Sequence, residues 1–364
     1  MDAEKSKKFI LRFFGLTAFL LILAAIPVIV VDPFFHYHGL LPGLKPVYSR
    51  YEYQVNGALE HLDYDAVMLG SSVTMNINSS AFDEAYGCTT EKAVSSGAHC
   101  CTLVYYLEKA FANRELKYVF WGLDPDQICY AIDPVPDQNQ ALFLRDKNPF
   151  NDVNYFWNID VLFDDLPNML AISHHADYDR GMAYDFTTFK TFGADIALET
   201  HLPEGEVSDM LPIDGEEYLK RINANMDSVE ALVAAHPETE FKFFFTLAGI
   251  LWWDIHYRDG KLERYYNAWE NAVRRLDKYD NVTFYSGVFN DRDCIMDISH
   301  YCDYCHADYE FNQLQAMSVI NEDRIITVDN MEEEIDVLRG IIKDFEDRLV
   351  EDGNWDFLYE YTKK

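Results

Sequence analysis

Between Phe13 and Val31 the chain carries no charged residue, and a run of that length leaves few structures open. It is long enough to cross a bilayer, where only a helix or a closed barrel satisfies its own backbone N–H and C=O groups. The stretch extends back to Phe9 if Arg12 snorkels to the interface. Lys5, Lys7, Lys8 and Arg12 lie before it, whereas the next basic residues after it are Lys45 and Arg50. That asymmetry puts Met1 in the cytoplasm and everything after Asp32 outside. Pro27 falls within the span, which membrane helices tolerate. A cleaved signal peptide fits less well, because Ala24-Ala25-Ile26 is a poor small-x-small site and apolar residues continue beyond it. A buried helix of a soluble core is the third reading. The expectation is an uncleaved single-pass anchor, with an aromatic interfacial stretch from Asp32 to His38 after it. His36 and His38 have no third ligand nearby.

Beyond the anchor the chain has the make-up of a packed domain. The 364 residues are 49% hydrophobic and 15% aromatic, which argues for a sizeable core. The net charge of −32 disfavours a nucleic-acid partner, since phosphate binding needs a basic surface. Helix-period and strand-like segments alternate. Strands are expected at Ala66–Leu69, Lys92–Val94, Lys117–Leu123, Phe241–Leu247 and Val282–Tyr285. Helices are expected at 56–62, 81–86, 102–113, 215–236, 262–276, 308–320 and 332–350. Such alternation predicts an α/β fold, a parallel sheet covered on both faces with its site at the strands' carboxyl ends. The stretch 125–212 breaks the pattern with Pro134, Pro136, Pro149 and Pro167 and reads as a helical and loop insertion. The predicted organisation is therefore a cytoplasmic tail 1–8, an anchor 9–31, an entry segment 32–63, a domain 64–330 containing the insertion, and a C-terminal helix within 331–364.

Two short motifs carry chemistry. The first is Gly70-Ser71-Ser72 at the end of the apolar strand 66–69, and the second is Asp297-Ile298-Ser299-His300 far downstream. A hydroxyl attacks a carbonyl only if a base takes its proton and an acid holds that base in the right tautomer. A glycine at a strand end lets the chain turn sharply and lifts the next hydroxyls clear of the sheet. Ser72, His300 and Asp297 are thus the predicted nucleophile, base and orienter, with Ser71 the next candidate nucleophile. Asn312, in the helix expected after the histidine, is a candidate to hold that loop. Each motif alone is weak. Their order, nucleophile early and Asp shortly before His late, inside an α/β pattern, is the stronger signal.

On these residues the chain resembles the SGNH (GDSL-like) hydrolase superfamily. The likeness is to a membrane-anchored branch that includes the D-alanyl-lipoteichoic acid transfer protein and alginate-type O-acetyltransferases. It covers roughly Asp65 to Asn312 at motif level. It implies a three-layer sheet, places the nucleophile on Ser72, and matches the late block to Asp297, His300 and Tyr301. It implies an oxyanion hole from the Gly97 N–H, in Ser95-Ser96-Gly97-Ala98, and the Ser72 backbone. Where that family carries Gly-x-Asn, this chain reads Gly122-Leu123-Asp124, so a side-chain donor is missing.

The implied activity is that of an extracytoplasmic serine acyl-esterase or O-acyltransferase working through an acyl-enzyme. Its substrate would be a cell-surface polysaccharide or polymer, and a membrane-embedded acyltransferase is a candidate partner. The alternative is a catalytically degenerate envelope protein that uses the same scaffold to bind a glycan or that partner. No cofactor is implied. The cysteines, seven in number, show no regular disulfide framework. Cys302-x-x-Cys305 beside His306 is zinc-like in spacing, but no second pair answers it, so no metal is expected. His174-His175 with Asp177 and Asp179 reads as a solvated or cleft-lining segment. Trp252 and Trp253 are expected in a loop over the carboxyl edge of the sheet.

Overall fold

The computed structural model describes residues 3–130, 132, 141–146, 148–175, 177–201 and 216–362. They divide into two compact units, one of residues 1–62 with 139–180 and one of 63–138 with 181–364. The middle of the predicted insertion, 139–180, therefore belongs with the amino-terminal segment, and its two ends with the second unit. Pro134, Pro136, Gly215 and residues 202–212 lie outside the described residues.

The first unit begins with a helix over Ala3–Val31, long and apolar enough to cross a membrane. Its side chains are mostly bare, among them Phe9, Phe14, Leu16 and Ile22. Only its last turns are covered, through Ala25, Val28 and Val31. Val28 enters a cluster with Phe34, Ala141, Leu144, Tyr155 and Val161. Phe34 stacks on Tyr53 and Tyr155 at 5.0 and 5.1 Å between ring centroids. The sharp turn after the helix is pinned by Asp32, which is buried. Its carboxylate accepts from Tyr155 Oη at 2.7 Å and from the N–H groups of Tyr37 and His38 at 2.6 and 3.0 Å. Gln54, on the helix Tyr51–His61, donates to the carbonyls of Pro33 and Val47 and locks the entry segment.

The second unit is built on a six-stranded sheet: β1 (Ala66–Gly70), β2 (Thr90–Val94), β3 (Tyr118–Leu123), β4 (Glu240–Phe245), β5 (Val282–Tyr285) and β6 (Ile325–Ile326). Their order is β2-β1-β3-β4-β5-β6. The first five are parallel, as expected, and β6 pairs antiparallel with β5. The sheet is thus mixed. Two residues are too few to show a strand pattern in sequence, which is why β6 was not expected.

Alternation along the strands sorts the core into two faces. Ala66, Met68, Phe120, Phe244 and Tyr285 pack with Phe82 of helix Ser80–Tyr86 and with Ala316 and Val319 of helix Tyr309–Asn321. On the other face Phe243 stacks on Phe284, and Phe245 meets Trp269 of helix Leu262–Leu276. Trp252 and Trp253 lie not in a loop but on the helix Ile250–Arg258, which starts soon after β4.

Tyr155→Phe tests the first unit. It removes the hydroxyl that Asp32 and the Phe34 N–H both use, leaving a buried carboxylate under-satisfied at a cost of about 1–3 kcal/mol. We expect a lower thermal unfolding midpoint for the full chain in detergent, read by circular dichroism; an unchanged midpoint contradicts this account.

Candidate active site

β1 lies between β2 and β3; the chain runs from β1 out to the edge strand β2 and then crosses back to β3 on the other side of β1. Ligands of open α/β sheets bind at such a switch point, outside the strands' carboxyl ends. At that end of β1 the chain turns through Ser71 into a one-turn helix, Ser72–Met75. The turn is possible because Gly70 and Gly122, at the ends of β1 and β3, have no side chains. A Cβ on Gly70 would lie 2.0 Å from Thr74 Oγ1, and one on Gly122 would lie 2.3 Å from the same atom. Thr74 fills the space both glycines leave, and the helix folds back onto the sheet with Ser72 at its first position.

Ser72 Oγ lies 2.8 Å from His306 Nε2. His306 Nδ1 lies 2.7 Å from Asp303 Oδ2. The other Asp303 oxygen accepts from the backbone N–H groups of Cys305 and His306 at 2.8 and 2.7 Å. Burial pushes the Asp303 carboxyl up, but the His306 ring and these N–H groups outweigh it and hold it below the ordinary carboxylate value. The loop is closed by an antiparallel bridge between Tyr301 and Ala307 and by the Cys302 N–H on the His306 carbonyl, 3.0 Å. Asn312 and Gln315 of the next helix brace it. Asn312 Nδ2 donates to the carbonyls of Ala307 and Asp308, both at 2.7 Å, and Gln315 ties Asn312 to the Leu247 N–H beyond β4. Asn312 thus holds a loop, as expected, but the loop it holds is that of His306.

The predicted partnership of Ser72 with His300 and Asp297 is not the one the structure makes. His300 Nδ1 pairs with Asp308 at 2.7 Å, and its ring stacks on Phe311 with centroids 4.0 Å apart. Its Nε2 is 3.9 Å from Asp297, whose Oδ1 accepts from the Ser299 hydroxyl and N–H. Tyr301 is buried, with its hydroxyl on the Cys294 carbonyl. The chain carries the Asp-x-x-His spacing twice, at 297–300 and again at 303–306. The first copy caps a 3-10 turn, Ile298–His300, and the second forms the loop that reaches Ser72. The repeat of the spacing was the available signal, and reading Cys305 and His306 as metal-like residues hid it.

Ser72 and His306 line a cavity of about 200 Å³ together with Gly97, Asp124, Tyr130 and Trp252. Gly97 has a left-handed φ of +59°. Trp252 is thus a cavity wall, while Trp253 is fully buried with its Nε1 on the Ala248 carbonyl. Asp124 was not among the predicted site residues. It is buried, and its Oδ1 accepts from Thr246 Oγ1 at 2.7 Å. Burial, then the charge of Asp126, push its carboxyl up to about 7, against the pull of the Ser71 and Thr246 hydroxyls and of His306. Cys305 also borders the cavity, but burial and the nearby Asp303 and Asp124 charges raise its thiol far above the ordinary value. It stays protonated and does not compete as a nucleophile. A larger cleft of about 540 Å³ opens at the amino ends of β4 and β5, between Glu240, Lys278 and Tyr279, and its lining offers no hydroxyl–imidazole pair. No group of three or more His, Cys, Asp or Glu suited to a metal ion occurs among the described residues.

No family model matches the chain, and no curated protein matches it either. Among solved structures it is similar to one described as "putative platelet activating factor from Streptococcus pneumonia". The identity is 12%, over 75% of this chain and 90% of that one, with a TM-score of 0.37. A likeness that distant carries no argument about the site.

The Asp124 environment has a measurable consequence. A carboxyl whose folded value is raised to about 7 from an ordinary 3.8 binds more protons folded than unfolded between those values. Its contribution to stability is therefore present below about pH 4 and lost as pH rises to about 7. Asp124→Asn has no such group. We expect the stability of the variant relative to the native chain to rise from pH 4 to pH 7 and level off above it, measured by urea unfolding. A pH-independent difference refutes the raised value.

Proposed function

We propose that the chain is a membrane-anchored, extracytoplasmic serine acyl-esterase or O-acyltransferase of SGNH-like build, acting on a cell-surface glycan or polymer. The single observation that carries this reading is the Ser72–His306–Asp303 relay at the carboxyl end of β1. Orientation rests on Lys5, Lys7, Lys8 and Arg12, in the first turns of the helix Ala3–Val31 before its uncharged run, which favour a cytoplasmic amino terminus.

In this mechanism Ser72 Oγ attacks the ester carbonyl while His306 Nε2 takes its proton. Asp303, already held as a carboxylate, fixes the imidazole tautomer and stabilises the imidazolium. The tetrahedral oxyanion is received by backbone N–H groups, with those of Ser72 and Gly97 as candidates. His306 returns the proton to the departing alkoxide, leaving the acyl group on Ser72. Water or an acceptor hydroxyl, deprotonated by His306, then attacks the acyl-enzyme. Hydrolysis and transfer share every step but the identity of that acceptor. Asp124, when protonated, brings a carboxyl donor into the cavity where the resembling family has an amide.

Fluorophosphonate labelling of the full chain tests the assignment. We expect Ser72→Ala to abolish labelling. His306→Ala and Asp303→Asn should slow it by on the order of 10³–10⁴-fold. His300→Ala should label at a rate close to the native one. Loss of labelling in His300→Ala with retention in His306→Ala would return the base to the earlier motif.

A further inference from the structure

We propose that the segment 148–172 is embedded in the outer leaflet of a lipid bilayer, flat against the membrane helix; the inference rests on reading Ala3–Val31 as the anchor. Trp157 Nε1 donates to the Leu21 carbonyl at 2.9 Å. At about 1.5 Å of rise per residue, Leu21 lies about 15 Å back along the helix from its end at Val31. A crossing that starts at Phe9 needs about 20 residues and so ends near Val28. Leu21 therefore lies within the hydrocarbon, and whatever bonds it lies there too. An indole N–H in lipid must find an internal acceptor, and this one does.

The segment is apolar on two sides. Tyr155, Val161 and Met169 face the interior of their unit, while Phe150, Ile159 and Phe163 are 87%, 70% and 75% exposed. Asn154, Asp160, Asp164 and Asn168 are exposed as well, so the outer side is amphipathic, as in stretches that lie at the boundary of headgroups and acyl chains. The anchor behaves alike at the same level: Ala25 and Val28 are covered, whereas Ile26, Ile29 and Val30 stay bare. Were the bilayer to end below residue 25, all these side chains would meet water as one exposed apolar patch. From 148 to 179 the sequence has no Lys or Arg, so apolar burial rather than attraction to anionic headgroups is the driving term. Asp160, 3.8 Å from Arg50 Nη1, and Asp164 set the upper limit, since charged groups belong at the headgroup level.

The test uses the full chain in vesicles of zwitterionic phosphatidylcholine. A fluorescent amino acid replaces Phe163 in one protein and Phe14 in another, and each is exposed to doxyl-labelled lipid or to aqueous iodide. Both positions should lose most of their emission to doxyl lipid and none to iodide. Quenching of the 163 probe by iodide alone places the segment in water and overturns the proposal. Quenching by neither agent means that protein, such as a second copy, covers the segment, which overturns it too. If the probe at 14 is also open to iodide, the anchor reading itself falls; if 14 is lipid-quenched and 163 is not, only this inference fails.

Discussion

The site depends on a close approach between two strand ends. Gly70 and Gly122 sit where β1 and β3 end side by side, and Thr74 occupies the volume that two Cβ atoms would need. Any side chain at either position would push the helix Ser72–Met75 off the sheet. Because Ser72 is the first residue of that helix, the displacement would reach the hydroxyl directly. Packed interiors do not absorb such shifts, as overpacking typically costs about 1–3 kcal/mol and moves backbone. The position of the nucleophile is thus set by what two residues lack.

The base is positioned by a different device. His306 lies on a loop without regular structure, so its placement must come from hydrogen bonds rather than from a ladder. Asp303 supplies part of it, binding the ring and two N–H groups of its own loop. Asn312 and Gln315 supply the rest, linking the loop to a helix that is itself packed on the sheet through Ala316 and Val319. Ser72 and His306 therefore refer to the same sheet by independent routes. The 2.8 Å separation between them is a property of the sheet more than of either loop.

How much of this was legible in the sequence depends on the range of each interaction. Strand runs such as Val282–Tyr285 and helix stripes such as Leu262–Leu276 are local patterns, and they were legible to the residue. Ser72 was legible because a strand ending in glycine and hydroxyls is also local. Its partner His306 was not, because Asp297–His300 and Asp303–His306 have the same spacing, and only the fold decides which copy faces Ser72. Asp124 was invisible as a titrating group for a related reason. Its raised value comes from burial and from Asp126, and burial is not written in neighbouring residues. The division of the insertion, with 139–180 joining the amino-terminal segment, rests on contacts more than a hundred residues apart in sequence, such as Tyr155 with Asp32.

Asp303 bonds the His306 imidazole and Asp124 lines the cavity with it, and their surroundings push the two carboxyls in opposite directions. Asp303 is held ionised by the ring and the N–H groups it accepts from, whereas burial and the charge of Asp126 raise Asp124 to about 7, where it is half protonated at neutral pH. That divergence has a chemical use. In the proposed reaction one fixed anion beside His306 would stabilise the imidazolium formed when Ser72 gives up its proton. A full charge on Asp124, added to that of Asp126 in the same cavity, would stabilise it further, making the proton harder to return to the leaving group. It would also repel the developing oxyanion. In its protonated form Asp124 would do neither, and its O–H could donate to an acceptor. In the proposed reaction the burial that raises Asp124 would thus lessen the negative charge that a developing oxyanion meets in this cavity.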